Sequence, residues 1–366
     1  MPRLRPLFIN ENVGGHATLH LNLARALEEH PEIQASFLHV PEKGPWRRLA
    51  SARVPGLDRL DLDFQQLRWQ LAHSLHVRRA LRHWPHPFDL VHVYTQNVAM
   101  LNVGLLRTLP SVVSTDSTNE LHARQLPYRR PTHWTRRVVA AGKPLEQRVF
   151  DSATIVVAQS QWVAQSLRDS YGVTEERLRV IPFGICLPRL PARSSAALPQ
   201  VTFVGTSMDR KGGWRLLEVF RRRLRGMCEL NLVTLDAVVP EDGVKVISDL
   251  RPGDPRLMDL LAQTDVFAFP TDVDKSSYAV LEAMAAGVPV VTTDMAALPE
   301  LVGDGEAGLL VPPNDDDALE DALVLLLGDE RRRLRMGSAA RARVEERFDA
   351  RLTTAALLRV FDEARR

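Results

Sequence analysis

The residues best suited to bind an anionic ligand lie in a glycine-containing turn near the middle of the chain. Arg210 and Lys211 directly precede the pair Gly212-Gly213, and the apolar run before them predicts a strand that ends at Gly205. Backbone N–H groups at the start of a helix attract anions, and neighbouring cations add charge-assisted hydrogen bonds. This segment therefore predicts a turn in which amides and side-chain cations bind one phosphate group.

A second group of polar residues follows a later strand. The short apolar run 266–269 is typical of a strand buried on both faces of a parallel sheet, and residues 278–286 have apolar side chains at helical spacing. Ligands of parallel sheets bind beyond the carboxyl ends of the strands. The intervening loop 271–277, which carries Asp274, Ser276 and Ser277, is therefore expected to face a ligand.

Glu282 lies inside the apolar stretch LEAMAAG of that helix. A surface acid is the simple alternative, but an unpaired buried carboxylate costs free energy. The apolar context therefore favours a carboxylate that binds something.

The first half of the chain begins in a similar way. A short strand at 7–10 is followed by Gly14 and Gly15 and then by a helix with an apolar face. These glycines would let a nucleotide diphosphate approach the backbone, although plain turn chemistry explains them equally well. His16 comes next, and it either approaches the donor phosphates or lies exposed at the helix start.

The elements that must position these residues alternate between strand and helix along the 366 residues. Such alternation predicts α/β domains with parallel sheets, and the length favours two of them. Residues 188–199 are rich in proline, alanine and serine and show no periodicity, which is typical of a linker. We therefore predict a first domain at 1–187 and a second from residue 200.

Composition narrows the possible partners. The net charge is +2, but residues 1–198 hold 25 Lys+Arg against 16 Asp+Glu, whereas residues 199–366 hold 22 against 29. The segment from His122 to Arg148 is basic and contains Tyr128, Trp134, Val138 and Val139, so it either contacts an anionic membrane surface or forms a solvated face. No recognition motif for nucleic acid is present.

The remaining composition favours a cytoplasmic protein, with peripheral contact at the inner face of the membrane as an open alternative. Two cysteines are too few for a disulfide framework, and no stretch is long and apolar enough to span a bilayer. The amino-terminal residues lack the apolar run of a signal peptide. The eleven histidines show no metal-binding spacing, so no metal is expected.

Four motifs in the second half, taken together, resemble those of the retaining glycosyltransferases of family four: FVGTSMDRKGG (203–213), TDVFAFPT (264–271), LEAMAAGVPVVTTD (281–294) and GEAGLLVPPND (305–315). The resemblance spans nearly the whole chain. It implies a GT-B fold, in which two Rossmann-like doubly wound domains (here 1–187 and 200–349) face each other across a cleft and the last helix, 350–366, crosses back to the first. It also implies a nucleotide-diphosphate sugar as co-substrate, no cofactor and no metal ion.

The resemblance assigns roles to individual residues. Lys211 matches the lysine that contacts the donor diphosphate, and Glu282 matches the glutamate that typically binds the donor ribose. Asp274 stands where the family usually has a glutamate that contacts the sugar. Thr206 stands where many members have an arginine, for which Arg210 can substitute.

Position 116 departs further from the usual pattern. Asp116 stands where the family commonly has a histidine that contacts the donor sugar, and the resemblance is to a subgroup that combines this aspartate with the DRKGG form of the phosphate turn. Asp116 could accept a hydrogen bond from the sugar or stabilise charge at the anomeric carbon. A turn residue that caps the neighbouring backbone is the alternative.

These observations predict an enzyme that transfers a hexose from a UDP- or GDP-sugar to an acceptor hydroxyl in glycolipid, cell-envelope or polysaccharide synthesis. The acceptor is a lipid, a glycan or a small molecule and is not determined by the sequence. A catalytically inactive sugar-nucleotide-binding protein is the alternative, because three site positions depart from the family pattern. A nucleotide-sugar epimerase is the least favoured reading.

Overall fold

The computed structural model describes residues 4–11, 15–40, 50, 52–124, 132–193, 196–251, 253–303 and 305–366. The chain divides into two compact units. The first comprises Met1–Gly184 and Arg351–Arg366, and the second comprises Ile185–Ala350. Gly14, Tyr128, Ser194 and Ser195, to which predictions were attached, lie outside the described residues.

The first unit is built on a six-stranded parallel sheet in the order β2-β1-β3-β4-β5-β6. Its strands are β1 (Pro6–Glu11), β2 (Ser36–Val40), β3 (Leu90–Tyr94), β4 (Ser111–Thr115), β5 (Ile155–Ala158) and β6 (Leu178–Val180). The helices that connect them are α1 (Gly15–Leu27), α2 (Gln65–Leu81), α3 (Val103–Thr108), α4 (Asn119–Arg124), α5 (Thr135–Ala140), α6 (Lys143–Ser152) and α7 (Gln161–Tyr171).

The second unit repeats this architecture with a sheet in the order β12-β11-β10-β7-β8-β9. Its strands are β7 (Gln200–Val204), β8 (Glu229–Val233), β9 (Val244–Ile247), β10 (Val266–Phe269), β11 (Val290–Thr293) and β12 (Gly308–Val311), and all of the pairs are parallel. Its helices are α8 (Gly213–Val219), α9 (Pro255–Ala262), α10 (Tyr278–Ala285), α11 (Leu298–Val302), α12 (Asp316–Gly328) and α13 (Glu330–Arg347), followed by α14 (Ala350–Ala364).

The central strands form where the sequence is continuously apolar. Residues 90–94 and 266–269 are buried throughout, because helices cover both faces of each sheet. The α/β prediction with parallel sheets is therefore confirmed in both units.

Two boundaries differ from the prediction for identifiable reasons. The apolar run 288–291 in the sequence predicts a strand there, but β11 occupies 290–293, since Pro289 has no N–H to donate to the ladder. The sequence after Gly213 predicts a helix over 214–225, but this segment is α-helical only to Val219 and continues as a wider π turn over Phe220–Leu224, where Phe220 and Leu224 are both fully buried.

The last helix belongs to the first unit from residue 351 onward. Its Leu357, Val360 and Phe361 join an apolar cluster with Phe8 and Leu90 of the first sheet. The rings of Phe8 and Phe361 lie 5.8 Å apart. This helix completes the covering of one face of that sheet.

Candidate functional site

Each sheet has one point at which the chain reverses its direction of winding, and the predicted site residues gather there. In the first sheet the reversal falls between β1 and β3, and in the second between β7 and β10. Ligands of doubly wound sheets bind beyond the strand ends at such points. The turn at 205–213 follows β7, and the loop at 271–277 follows β10.

The glycines after β7 are required by packing within the unit itself. Gly212 has a φ of +77°, and a Cβ on it would lie 1.9 Å from the carbonyl oxygen of Pro270. A Cβ on Gly213 would lie 2.5 Å from the sulfur of Met208, and one on Gly205 would lie 2.9 Å from the side chain of Lys211. The turn is therefore held directly against the end of β10.

Lys211 forms an ion pair with Asp274 across this junction. The two side chains keep 15% and 18% of their exposure, so both remain accessible at the edge of the sheet. The Lys211 ammonium also lies 5.5 Å from the centre of the Phe269 ring, over its face. The structure thus brings together the cation and the carboxylate that sequence analysis assigned to the donor.

Hydrogen bonds from Thr271 fix the geometry of the two loops. Its hydroxyl donates to the carbonyl of Arg210 at 3.1 Å and accepts from the backbone N–H of Asp274 at 3.0 Å. The Arg210 backbone N–H donates to the Ser207 hydroxyl at 3.4 Å. Arg210 is thereby held in the same turn as Lys211.

Ser276 and Ser277 end the second loop at the start of α10. Ser277 is buried at the N-cap position, but its side chain makes no capping hydrogen bond to the helix. Ser276 is half-buried. Both therefore lie at the edge where the ligand is expected.

Glu282 projects from α10, whose neighbouring residues are buried. Among the described residues, no hydrogen-bond or salt-bridge partner faces its carboxyl group. The residue is half-buried, and burial of the carboxyl group raises its pKa to about 7. A carboxyl group held without a partner in this way is suited to bind hydroxyl groups of a ligand.

Arg215 is a residue of this region that sequence reasoning missed. Its guanidinium contacts Asp272 of the second loop at 2.8 Å and Asp316 at the start of α12 at 2.6 Å. The backbone N–H of Asn314 also donates to Asp272, at 3.1 Å. Arg215 therefore braces the loop that carries Asp274. At the acidic start of α12 the Asp315 side chain caps the helix, because it accepts from the Ala318 backbone N–H at 2.9 Å.

In the first unit, the structure pairs two predicted site residues. His16, in the first turn of α1, has its Nε2 3.2 Å from a carboxylate oxygen of Asp116, which follows β4. Tyr94, at the end of β3, meets the His16 ring edge to face at 4.9 Å. An imidazole, that of residue 16, thus lies beside position 116, where the resemblance leads one to expect a histidine. Gly15 opens α1 and is exposed.

Glu11, at the end of β1, is a second residue that sequence reasoning missed. It is 1% exposed, and its carboxylate accepts hydrogen bonds from Thr95 and, at 3.2 Å, from Asn97. His73 of α2 approaches the other carboxylate oxygen at 3.3 Å. Burial alone would raise the pKa of Glu11, but the His73 hydrogen bond, the charge of His16 and the Thr95 hydrogen bond lower it.

The basic segment from His122 to Arg148 shows a mixed pattern in its described part. Val138 and Val139 are buried, whereas Trp134 and Arg137 are exposed and the Arg137 guanidinium lies 5.1 Å from the Trp134 ring centre. Contact with a membrane stays a prediction. Within the described ranges no helix is both long and apolar enough to cross a bilayer, and no cluster of His, Cys, Asp and Glu side chains has a metal-binding arrangement.

Comparison with known proteins identifies the family. Residues 13–189 match the family described as Glycosyltransferase Family 4, and residues 198–329 match the one described as Glycosyl transferases group 1. The two segments do not overlap, and together they span most of the chain. The chain belongs to the family four glycosyltransferases.

Named relatives agree with a transferase. The glycosyltransferase is 28% identical over 311 residues to the MMP alpha-(1->4)-mannosyltransferase of Mycolicibacterium hassiacum, covering 80% of this chain and 74% of that protein. It is 30% identical over 223 residues to the D-inositol 3-phosphate glycosyltransferase of Nocardia farcinica, covering 53% of this chain and 49% of that one. The match therefore spans about half the length of that relative.

Solved structures show the same fold over the whole chain. The glycosyltransferase superimposes on sucrose-phosphate synthase from Thermosynechococcus elongatus with a TM-score of 0.74 at 18% identity, covering 99% of each chain. Its TM-score against Anabaena HepE in complex with UDP-glucose is 0.68 at 18% identity, covering 98% of this chain and all of that one. The predicted GT-B fold, with two parallel α/β sheets, is confirmed.

Proposed function

We propose that this glycosyltransferase transfers a hexose from a UDP- or GDP-sugar to an acceptor hydroxyl with retention of anomeric configuration. The observation that carries the proposal is the juxtaposition of Lys211 and Asp274 at the carboxyl ends of β7 and β10, with Glu282 unpartnered on the next helix. This is the place where a doubly wound sheet binds a nucleotide. Structural relatives captured with UDP and UDP-glucose support the choice of donor.

Lys211 has the role of stabilising the leaving group. Cleavage of the sugar–phosphate bond builds negative charge on the diphosphate, and a positioned cation stabilises that charge without transferring a proton. Asp274 holds the Lys211 ammonium in place. The donor phosphates would then join Asp274 around this cation, with Arg210 and the amides of the turn beside them.

The other site residues bind the remaining parts of the donor. Glu282 accepts hydrogen bonds from the ribose hydroxyls, which gives its unpartnered carboxylate a role. Asp274 and Asp116 contact the sugar, and Ser276 and Ser277 lie beside the phosphates. The leaving phosphate acts as the base toward the acceptor, so no metal ion and no cofactor take part. The form of the turn, DRKGG, together with Asp116 in place of histidine, defines the subgroup to which we assign the chain.

The acceptor is a hydroxyl compound bound mainly by the first unit. A lipid, a glycan and a small molecule each fit this description. The relatives named as mannosyltransferase and as inositol-phosphate glycosyltransferase make sugars and polyol phosphates the first compounds to test.

The test is release of a nucleoside diphosphate from a panel of nucleotide sugars, with and without candidate acceptors. Lys211→Ala should lower kcat by about 10²–10³-fold, as loss of an electrostatic stabiliser does. Lys245→Ala is the matched control, because Lys245 is exposed on β9 and lies outside the site. Proton NMR of the product reports the anomeric configuration.

The alternative is a protein that binds sugar nucleotides without turnover. It would give nucleotide binding by calorimetry that Lys211→Ala weakens, and no diphosphate release with any acceptor. Equal turnover of the Lys211→Ala and Lys245→Ala variants would refute the assignment of Lys211.

A further inference from the structure

The buried carboxylate of Glu11 has no role in the proposed transfer, yet it is the centre of the polar network in the first unit. Its two oxygens have three side-chain partners: His73 of α2, Thr95 directly after β3, and Asn97 in the short turn that follows. A buried charge is costly unless it is paired. The three partners of Glu11 stabilise its ionised form, and that charge can act on neighbouring groups.

His16 begins the helix that follows Glu11, and it contacts a second carboxylate. His16 and His20 lie one helical turn apart on α1, and both rings meet Tyr94 edge to face, at 4.9 Å and 5.4 Å. His20 Nε2 lies 3.3 Å from the backbone carbonyl of Glu11, which fixes α1 over the end of β1. On its other side His16 contacts Asp116 at 3.2 Å.

We propose that Glu11 is a positioning residue: together with Asp116 it keeps His16 as an imidazolium cation at neutral pH, so that His16 and Asp116 form an ion pair at the edge of the first sheet. The effect of this ion pair on the reaction rests on the proposed function. The charge state of His16 is independent of that function.

Two other histidines around His16 do not supply a competing positive charge. Burial lowers the pKa of His20 to about 2 and that of His92 to about 3, so both are neutral. The groups that face this cluster from the surrounding elements are Glu11, His20, His39, His73, His92, Tyr94 and Asp116. Burial alone would lower the pKa of His16, but Asp116 and then Glu11 raise it above its ordinary value.

The consequence for catalysis is a fixed orientation of Asp116. While His16 is protonated, its N–H donates to the Asp116 carboxylate and holds it in one position. When His16 loses its proton at alkaline pH, that charge-assisted hydrogen bond weakens. Turnover should therefore decline at a pH above the ordinary pKa of histidine, and the position of that decline should depend on Glu11.

The direct test is a histidine titration by NMR on the full chain labelled with ¹³C-histidine, with the His16 signal assigned by its loss in His16→Gln. In the wild type the midpoint should lie above 6.5. Glu11→Gln and Asp116→Asn should each lower it by about one pH unit, a tenfold change in the protonation equilibrium. Glu32→Gln is the matched control, because Glu32 is exposed and contacts a different histidine, His30, at 3.0 Å. This control should leave the His16 signal unchanged.

Folding of the variants does not limit the test. If Glu11→Gln does not fold, the Asp116→Asn titration decides, since Glu11 should still hold the His16 midpoint near or above 6.5 despite burial. A wild-type midpoint at or below 6.5 overturns the proposal. So does a midpoint that falls far below 6.5 in Asp116→Asn or stays unmoved in Glu11→Gln.

A kinetic arm separates positioning from a purely structural role. In Glu11→Gln the alkaline decline of kcat should move about one unit toward lower pH, with KM for the donor changed less than twofold. A lower melting temperature with an unmoved pH profile would mean that Glu11 only stabilises the fold. If the wild type shows no turnover at all, the proposed function fails while the NMR titration still decides the inference.

Discussion

Acidification should destabilise the first unit through His92, a neutral imidazole buried on β3. Its Nε2 lies 2.8 Å from the hydroxyl of Ser114, and its ring packs between Phe8 and Phe361. Burial lowers its pKa to about 3, whereas the same residue in the unfolded chain titrates near 6.5. The depressed pKa means that the unfolded state binds the proton first as the pH falls.

The magnitude follows from proton linkage. Stability from the neutral imidazole is fully present above pH 6.5 and is lost as the pH falls toward about 3. Each pH unit in this window lowers the free energy of unfolding by about 1.4 kcal/mol. Protonation of His92 therefore lowers it by about 2 kcal/mol between pH 6.5 and pH 5. A domain with about 5–15 kcal/mol of stability would be noticeably weakened by this one residue.

The assay is urea unfolding at pH 7.5, 6.5, 5.5 and 5, followed by tryptophan fluorescence in a Trp214→Phe background. Trp214 is the tryptophan of the second unit, and the other five precede residue 184, so the signal then reports the first unit. The perturbation is His92→Phe combined with Ser114→Ala, which removes the titrating ring and its hydroxyl partner together.

Between pH 6.5 and 5 the free energy of unfolding of the double variant should fall by about 2 kcal/mol less than that of its parent. His83→Gln, a change at an exposed histidine, is the control and should not alter the pH dependence. Identical pH dependence in the double variant and its parent would refute a neutral, buried His92.

Two further predictions concern the second unit. Gly226→Ala should lower the free energy of unfolding by about 1–2 kcal/mol, the strain of a left-handed backbone, because a Cβ there meets nothing within 4 Å. Gly212→Ala should cost about 1–3 kcal/mol more, because its Cβ also overpacks the turn. Equal melting temperatures for the two variants would show that the turn after β7 is loosely packed. For Glu282, the folded carboxyl group titrates near 7 and the unfolded one near 4.5, so the unfolded state binds fewer protons and stability falls as the pH rises through this window. Glu282→Gln should therefore raise the free energy of unfolding above pH 7 by about 1–3 kcal/mol. The same variant should bind UDP or GDP more weakly in calorimetry. Unchanged stability together with unchanged binding would contradict the assignment of Glu282 to the donor.

The sequence predicts the sheets well because their signal is local. Residues 266–269 are apolar without interruption, and that pattern alone indicates a strand covered on both faces. It also predicts the neighbourhood of Lys211 and Asp274, since the carboxyl ends of parallel strands share one edge of a sheet. Among the strands, the one at 290–293 moved noticeably, and a single proline explains the shift.

The residues that the sequence did not reveal depend on partners far away in the chain. Glu11 becomes significant through His73, 62 residues later, and nothing near Glu11 in the sequence indicates that contact. Arg215 contacts carboxylates 57 and 101 residues away, and in sequence it is one arginine among many on a helix. Charge networks of this kind require the three-dimensional arrangement, because no local periodicity encodes them.

The membership of the last helix in the first unit has a consequence for biosynthesis. Phe361 fills the core cluster that contains Phe8 and Leu90, but the ribosome makes it after the whole of the second unit. The first sheet therefore emerges with one apolar face incomplete, and it must wait for the final residues before its core can close. Chaperones should therefore stay bound to nascent chains shorter than about 350 residues and dissociate after the last helix has been synthesised.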